Sequence, residues 1–142
     1  QGKSAMFSIG DLSARTGVKV PTIRYYEQMG LIGPEGRTEG NQRRYSRDGL
    51  NRLSFIRHAR DLGLPVEAIR QMIGLHGAAA CDSAHRIAAD HLADVRRRIA
   101  ALRQLEAELT RIAHACDGEG DSCQILSAFA DHGLCEGDHP SA

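Results

Sequence analysis

The chain has 142 residues, enough for one modest domain or a small domain with an extension, and its formal net charge is zero. The charge is unevenly divided: residues 1–60 hold 11 Lys or Arg against 5 Asp or Glu, whereas residues 61–142 hold 7 against 13. We therefore expect only the first part of the chain to meet a polyanion. No apolar run reaches membrane-spanning length, which predicts a soluble, cytoplasmic protein without membrane contact, and in such a compartment its four cysteines are expected to be thiols or metal ligands.

Two short helices joined by a tight turn are predicted near the start. Ile9 to Thr16 has helical apolar spacing and ends at Gly17, and Pro21 suits the first turn of a second helix. Such a pair is the outline of a helix-turn-helix. In the polar stretch 33–45 that follows, the Gly40-Asn41 pair predicts the turn of a small β-hairpin, or wing.

Two further helices complete the predicted first domain. Ser46 caps a helix that runs to about Leu62, and Pro65 opens the next one. The positions expected to face inward are Leu50, Leu53, Ile56, Val66, Ile69, Met72 and Ile73. A winged helix-turn-helix domain is therefore expected over residues 6–75, with a linker over 76–83.

A long helix is predicted over residues 84–115, with apolar residues three or four positions apart as in a coiled coil. This stripe consists of Leu92, Val95, Ile99, Leu102, Leu105, Leu109 and Ile112. A helix with one narrow stripe buries little alone, and the chain offers no second long helix, so we expect a homodimer. Packing of this helix against the first domain of its own chain is the alternative.

The second helix carries residues suited to DNA. Arg24, Tyr25 and Tyr26 stand in its first turns, where a recognition helix presents side chains to the major groove. Arginine binds guanine or phosphate and tyrosine donates to phosphate, but adjacent helical residues point about 100° apart, so at most one tyrosine is expected to face DNA. The predicted DNA-binding residues are Thr22, Arg24, Tyr25 and Tyr26 and, in the wing, Arg43, Arg44 and Tyr45.

Three segments resemble the amino-terminal domain of MerR-type transcription regulators. They are Phe7-Ser8-Ile9-Gly10-Asp11-Leu12, Thr22-Ile23-Arg24-Tyr25-Tyr26-Glu27-Gln28-Met29-Gly30-Leu31-Ile32 and Arg43-Arg44-Tyr45. The resemblance extends from Met6 to about Ala130 and departs at Gln42, where the family more often has an aromatic residue. It implies a mainly α, dimeric winged helix-turn-helix protein that binds a palindromic promoter, pairs its long helices antiparallel as a coiled coil, and senses its effector at the helix ends.

The cysteines predict a metal site shared by two subunits. Cys81 stands just before the predicted long helix, and Cys116 and Cys123 bracket a loop after it. At about 1.5 Å per residue the helix spans about 50 Å, so these thiols cannot meet within one chain. In an antiparallel dimer, Cys81 from the partner subunit would join Cys116 and Cys123, and three converging thiolates need a cation. Soft thiolates favour Cd(II), Pb(II), Zn(II) or Hg(II) as the effector.

Alternatives exist for the thiols and for the remaining donors. Possible additional metal ligands are His114, Asp82, Glu119, Asp121, Cys135, His132 and His139. A disulfide between Cys116 and Cys123, or surface thiols without a role, would replace the metal site, and a thiol-based redox regulator of the same fold is the alternative function. Within the family, Cys81 resembles the divalent-metal branch, and the loop spacing is most similar to cadmium- and lead-responsive members.

The remaining predictions concern residues 116–142 and the function of the protein. Residues 116–130 are expected to form a metal-binding loop and a short helix, and 131–142 a flexible tail. No acid/base pair or nucleophile motif indicates an enzyme. What the resemblance implies is a regulator that distorts promoter DNA when metal binds, so that RNA polymerase, acting through the DNA, can use both promoter elements.

Overall fold

The computed structural model describes residues 6–115 and 123–130. Its elements in chain order are β1 (Met6–Phe7), α1 (Ile9–Thr16), α2 (Val20–Gln28), β2 (Gly36–Arg37), β3 (Arg43–Ser46), α3 (Arg47–Asp61), α4 (Val66–Ile73), α5 (Ala80–Ala113) and α6 (Gln124–Ala130). The fold is mainly helical, with a helix-turn-helix, a wing and one long helix that suits a coiled coil, which confirms the predicted fold class.

Local hydrogen bonds define the helix-turn-helix. Ser8 caps α1 by accepting from the Asp11 N–H, and the Asp11 carboxylate accepts from the Ser8 N–H, so both ends of a capping box are satisfied. α1 ends at Gly17, whose left-handed backbone (φ 75°) is easy for glycine. Pro21 lies in the first turn of α2, as predicted.

A three-stranded antiparallel sheet carries the wing. Its strand order is β1-β3-β2, with Phe7 paired to Tyr45 and Arg37 paired to Arg43. The β2–β3 hairpin confirms the predicted wing, and its turn contains Asn41 at a φ of 61°. The pattern did not predict β1, because two residues are too short to show the alternation of a strand.

α3 and α4 pack behind the helix-turn-helix. Ser46 caps α3 by accepting from the Gly49 N–H, as predicted. Arg57 of α3 donates to the Thr16 carbonyl, and Arg70 of α4 donates to the Met29 carbonyl over 2.5 Å. Each guanidinium therefore stands at the carboxyl end of α1 or α2, where the helix dipole favours a positive charge.

One hydrophobic core holds these elements together. Its fully buried large side chains are Leu12, Ile23, Tyr45, Leu53, Ile56 and Ile69. They come from α1, α2, β3, α3 and α4. The exposed faces of α2 and of the wing are therefore backed by a well-packed core. Burial of these side chains at about 25 cal/mol per Å² of apolar surface is the main term that favours this arrangement.

The long helix begins earlier than the sequence pattern predicts. α5 runs from Ala80 to Ala113, so Cys81 lies in its first turn and not in a linker before it. The residues before Ala84 lack large apolar side chains, but Ala80 is a strong helix former and the negative charge of Asp82 in the first turn favours the start of a helix. The described residues form two compact units that divide between Ile87 and Ala88.

Beyond α5, the short helix α6 occupies the position where a short helix is predicted. Ile112 and Ala128 are buried, whereas Leu126 and Phe129 are exposed. No helix within residues 6–115 and 123–130 combines the length and the apolar character needed to cross a membrane.

Candidate nucleic-acid interface and metal ligands

A groove of about 990 Å³ lies between α2 and the wing. Arg24 from α2 and Arg37 and Arg43 from the wing all line it. Arg24 and Arg37 are exposed, and the Arg43 side chain is 48% exposed. Three guanidinium groups around one concave surface make it suited to a phosphate backbone, since arginine presents several donors in a fixed plane.

Glu27 fixes the wing against α2. Its carboxylate accepts from the hydroxyl of Tyr45 and from the guanidinium of Arg43, and its side chain is 9% exposed. Two charge-assisted hydrogen bonds to one carboxylate are stronger than bonds between neutral groups. Glu27 therefore sets the distance between the helix and the hairpin, and so the width of the groove.

The structure separates the predicted DNA-binding residues into two groups. Tyr26 and Tyr45 are 6% and 0% exposed, so the structure places these two predicted contact residues in the core. Tyr25 is 47% exposed, as expected if only one of the adjacent tyrosines faces outward. Among the other predicted contacts, Arg24 and Arg43 are exposed, and Thr22 and Arg44 are half-buried.

Sequence reasoning missed two features of this surface. Arg37 is the cross-strand partner of Arg43, and the two side chains line the same groove. The register that follows from the Gly40-Asn41 turn could have revealed this pair, because opposite residues in an antiparallel ladder point to the same face. The role of Glu27 has no comparable signal, since nothing local connects it to a residue 18 positions away.

The predicted metal ligands are only partly within the described residues. Cys81 and Cys123 are both exposed, Cys81 in the first turn of α5 and Cys123 immediately before α6. Asp82 follows Cys81 in the same turn, and His114 follows the end of α5; both are exposed. The other predicted ligands, Cys116, Glu119, Asp121, His132, Cys135 and His139, lie outside the described residues.

A single chain does not assemble a metal site from the residues that the structure describes. Among residues 6–115 and 123–130, no group of three or more His, Cys, Asp or Glu side chains is placed to hold a metal ion. The described donors are thiols, a carboxylate and an imidazole on exposed surface, a set whose chemistry fits a soft divalent ion.

Comparison with known proteins identifies the family. The family model described as "MerR HTH family regulatory protein" matches residues 7–74, and the one described as "MerR, DNA binding" matches residues 50–112. The HTH-type transcriptional regulator HmrR of Sinorhizobium medicae (strain WSM419) is 38% identical over 129 residues, which cover 89% of this chain and 88% of that protein. The chain belongs to the MerR family. It is therefore a DNA-binding transcription regulator and not an enzyme, as the sequence predicts.

Two other members of the MerR family are similar over most of their length. The "Heavy metal-dependent transcription regulator 2" of Rhizobium meliloti (strain 1021) is 37% identical over 126 residues, covering 87% of this chain and 86% of that protein. The crystal structure of the transcription regulator PbrR691 from Ralstonia metallidurans CH34 in complex with lead(II) aligns with a TM-score of 0.73 and 33% identity. That alignment covers 87% of this chain and 98% of that one.

Proposed function

We propose that this MerR-family protein is a homodimeric regulator that senses a soft divalent metal ion through cysteine thiolates and activates a metal-resistance promoter. The observation that carries the proposal is the placement of exposed thiols around one long helix: Cys81 stands in the first turn of α5, and Cys123 follows the helix in the chain. The similarity to a heavy metal-dependent regulator and to a regulator crystallised with lead(II) supports a metal-sensing function.

We assign DNA binding to residues 6–75, and within them to α2 and the wing. Arg24 and Tyr25 would contact the DNA from α2, and Thr22 stands beside them in the first turn of that helix. From the wing, Arg43 would bind backbone phosphate, with Arg44 beside it. The excess of basic residues before position 60 makes this the part of the chain that a polyanion would approach.

We assign dimerisation to α5. Four apolar residues along its stripe are 42% to 63% exposed in the single chain: Leu92, Ile99, Leu102 and Leu109. Uncovered apolar residues at coiled-coil spacing lose contact with water when a second copy packs against them, and this burial drives association. An antiparallel pair brings the first turn of one α5 to the chain that follows the other.

The metal site would then draw on both subunits. Its ligands would be Cys81 from the partner subunit together with Cys116 and Cys123, with Asp82, His114 or loop carboxylates as further donors. A bound divalent ion supplies the positive charge that allows three thiolates to converge. Thiolate ligands favour Zn(II), Cd(II), Pb(II) or Hg(II) over hard cations.

Regulation would arise from two arrangements of the dimer. The DNA-binding domains must differ in orientation between these arrangements, and occupancy of the site must favour the one that binds distorted DNA. The promoter elements would then reach RNA polymerase through a change in the duplex, without a direct protein contact being required. The metal ion must therefore bind one arrangement more tightly, because equal affinity for both would leave their populations unchanged.

Three serine substitutions test this function. Cys81→Ser, Cys116→Ser and Cys123→Ser should each abolish metal-dependent transcription and lower the metal affinity of the reduced dimer, while promoter binding in the absence of metal stays intact. Cys135→Ser removes the fourth cysteine, a possible additional ligand, and a parent-like response would show that the other three cysteines are sufficient. Metal titration with Zn(II), Cd(II), Pb(II) and Hg(II), read beside transcription from the promoter, is the measurement. A parent-like response in any of the first three variants would remove that cysteine from the site.

A further inference from the structure

The apolar stripe of α5 continues upstream into two metal-ligating residues. Counting back from Leu92 in alternating steps of four and three residues leads to Ala88, His85 and Cys81. This is the heptad spacing that keeps residues on one face of a helix. All of these positions belong to α5, which begins at Ala80. Cys81 and His85 therefore occupy the face of α5 that the proposed dimer would turn toward its partner.

The stripe also defines a register for that dimer. In an antiparallel pair with Leu102 on the twofold axis, Ile99 faces the partner's Leu105 and Val95 faces the partner's Leu109. Every such pair joins two residues of the same stripe, so this register buries it most completely. In the same register, residues 80–90 extend past the last helical residue of the partner's α5, Ala113. Cys81 and His85 thereby lie beyond Ala113 of the partner subunit, on the side of the dimer where the partner's α5 ends.

We propose that His85 is a nitrogen ligand to the metal ion, acting beside Cys81 from the same subunit; this inference rests on the proposed function. Both side chains are exposed and lie one turn apart, at about 5–6 Å between their Cβ atoms. Two ligands four residues apart on a helix can reach one ion, as in metal sites built on a His-x-x-x-His spacing. With the three cysteines, the donor set becomes three thiolates and one imidazole.

Competing donors on the same helix are less well placed. Asp82 and His91 are each one residue away from a stripe position, and adjacent residues on a helix point about 100° apart. They therefore lie to the side of the face that carries Cys81 and His85. A set of three cysteines and one histidine is a common four-coordinate arrangement for Zn(II). His85 thus makes Zn(II), or Cd(II) with the same ligand preference, the ion class that suits this site.

X-ray absorption spectroscopy of the reduced dimer loaded with Zn(II) tests the assignment directly. The parent protein should show sulfur scattering together with the outer-shell scattering of one imidazole. His85→Ala should lose the imidazole signal, keep the sulfur signal, and bind Zn(II) at least about 10-fold more weakly. His91→Ala is the matched control on the same helix and should retain both signals. Circular dichroism and the mass of the dimer show that each variant is folded and paired.

A second variant guards against an indirect effect of His85→Ala on dimerisation. His85→Cys keeps a soft donor at the same place, so it should restore most of the Zn(II) affinity while the scattering becomes sulfur alone. An imidazole signal that persists in His85→Ala, or is absent from the parent protein, overturns the role of His85. The proposed function fails separately, if Cys81→Ser retains the full sulfur scattering of the parent protein.

Discussion

The hydroxyl of Tyr45 in strand β3 donates a hydrogen bond to the carboxylate of Glu27 in helix α2. Tyr45 is fully buried, and the same carboxylate also accepts from Arg43. One acidic side chain thus joins the recognition helix to the wing through both a core residue and a surface residue. The geometry of the groove between α2 and the wing depends on this carboxylate as much as on the arginines that line the groove.

Glu27→Ala should therefore destabilise the DNA-binding unit by about 1–3 kcal/mol, because it leaves the buried hydroxyl of Tyr45 without an acceptor. Glu27→Gln keeps an acceptor oxygen at that place and should cost less. Tyr45→Phe removes the hydroxyl donor itself, so no buried hydroxyl is left without a partner. It should lower the free energy of unfolding by only about 1 kcal/mol. The free energy of unfolding from urea denaturation measures all three. Equal losses in Glu27→Ala and Glu27→Gln would contradict the role given to the Tyr45 hydrogen bond.

Much of this architecture could be predicted from the sequence because its signals are local. Gly17 ends α1, Pro21 lies in the first turn of α2 and Ser46 caps α3, and each of these positions favours only a few residue types. The sequence pattern predicts the start of α5 at residue 84, later than the observed Ala80, because the positions of the stripe are apolar only from Ala88 onward. A stripe that begins with Cys and His is hard to distinguish from a linker.

The local pattern does not separate core residues from surface residues in α2 and the wing. Tyr26 and Tyr45 belong to clusters of aromatic and basic residues that suggest DNA contact, but both side chains are buried in the core. Burial of an aromatic ring depends on residues distant in sequence, so the local pattern cannot decide it. The cysteines differ from the tyrosines, because the sequence alone shows their spacing around the long helix. The metal site that we propose for them, however, requires a second copy of the chain.

Arg24→Ala should weaken promoter binding and flatten its salt dependence. A phosphate contact contributes about −0.9 to the slope of log K against log salt. Because a dimer loses one contact in each half, the slope should become less negative by about two. Arg98→Ala, on α5, is the control and should leave the slope unchanged. Electrophoretic or fluorescence titration at several salt concentrations measures it. An unchanged slope with an altered base preference would instead place Arg24 on a base edge.

Leu102→Glu should convert the dimer into a monomer without unfolding residues 6–75. Leu102 is 63% exposed in the single chain and lies on the twofold axis of the proposed register, so two carboxylates would meet there. Burying an unpaired charge costs several kcal/mol, which corresponds to a dissociation constant raised by well over about 10-fold. Gln104→Glu, on the opposite face of α5, introduces the same charge and should remain dimeric. Analytical ultracentrifugation measures the mass of each; a dimeric Leu102→Glu would exclude this register.

Acid should weaken the cap of α1 through Asp11. Hydrogen bonds from the backbone and side chain of Ser8, and to a smaller extent the charges of Arg44 and Arg15, hold the pKa of Asp11 below its ordinary value of 3.8. Because the folded-state pKa is the lower one, ionised Asp11 favours folding at any pH above the ordinary value. That contribution is lost as the pH falls through the folded-state pKa.

A carboxyl titration followed by NMR measures this pKa. Ser8→Ala should move the pKa of Asp11 up toward its ordinary value and cost about 1 kcal/mol of stability through loss of the N-cap. A pKa of Asp11 that is the same in Ser8→Ala and in the parent protein would show that the capping box does not set it.

Arg57 and Arg70 reach across from α3 and α4 to the last carbonyl groups of α1 and α2. Tilting the helix-turn-helix against its support would strip both carbonyls of their donors at once. Residues 9–73 are thus expected to travel as a rigid body, and the hinge of a regulatory motion must be sought downstream. We expect Gly77, which has a φ of 84° and open space where a Cβ would stand, to provide that hinge between α4 and α5.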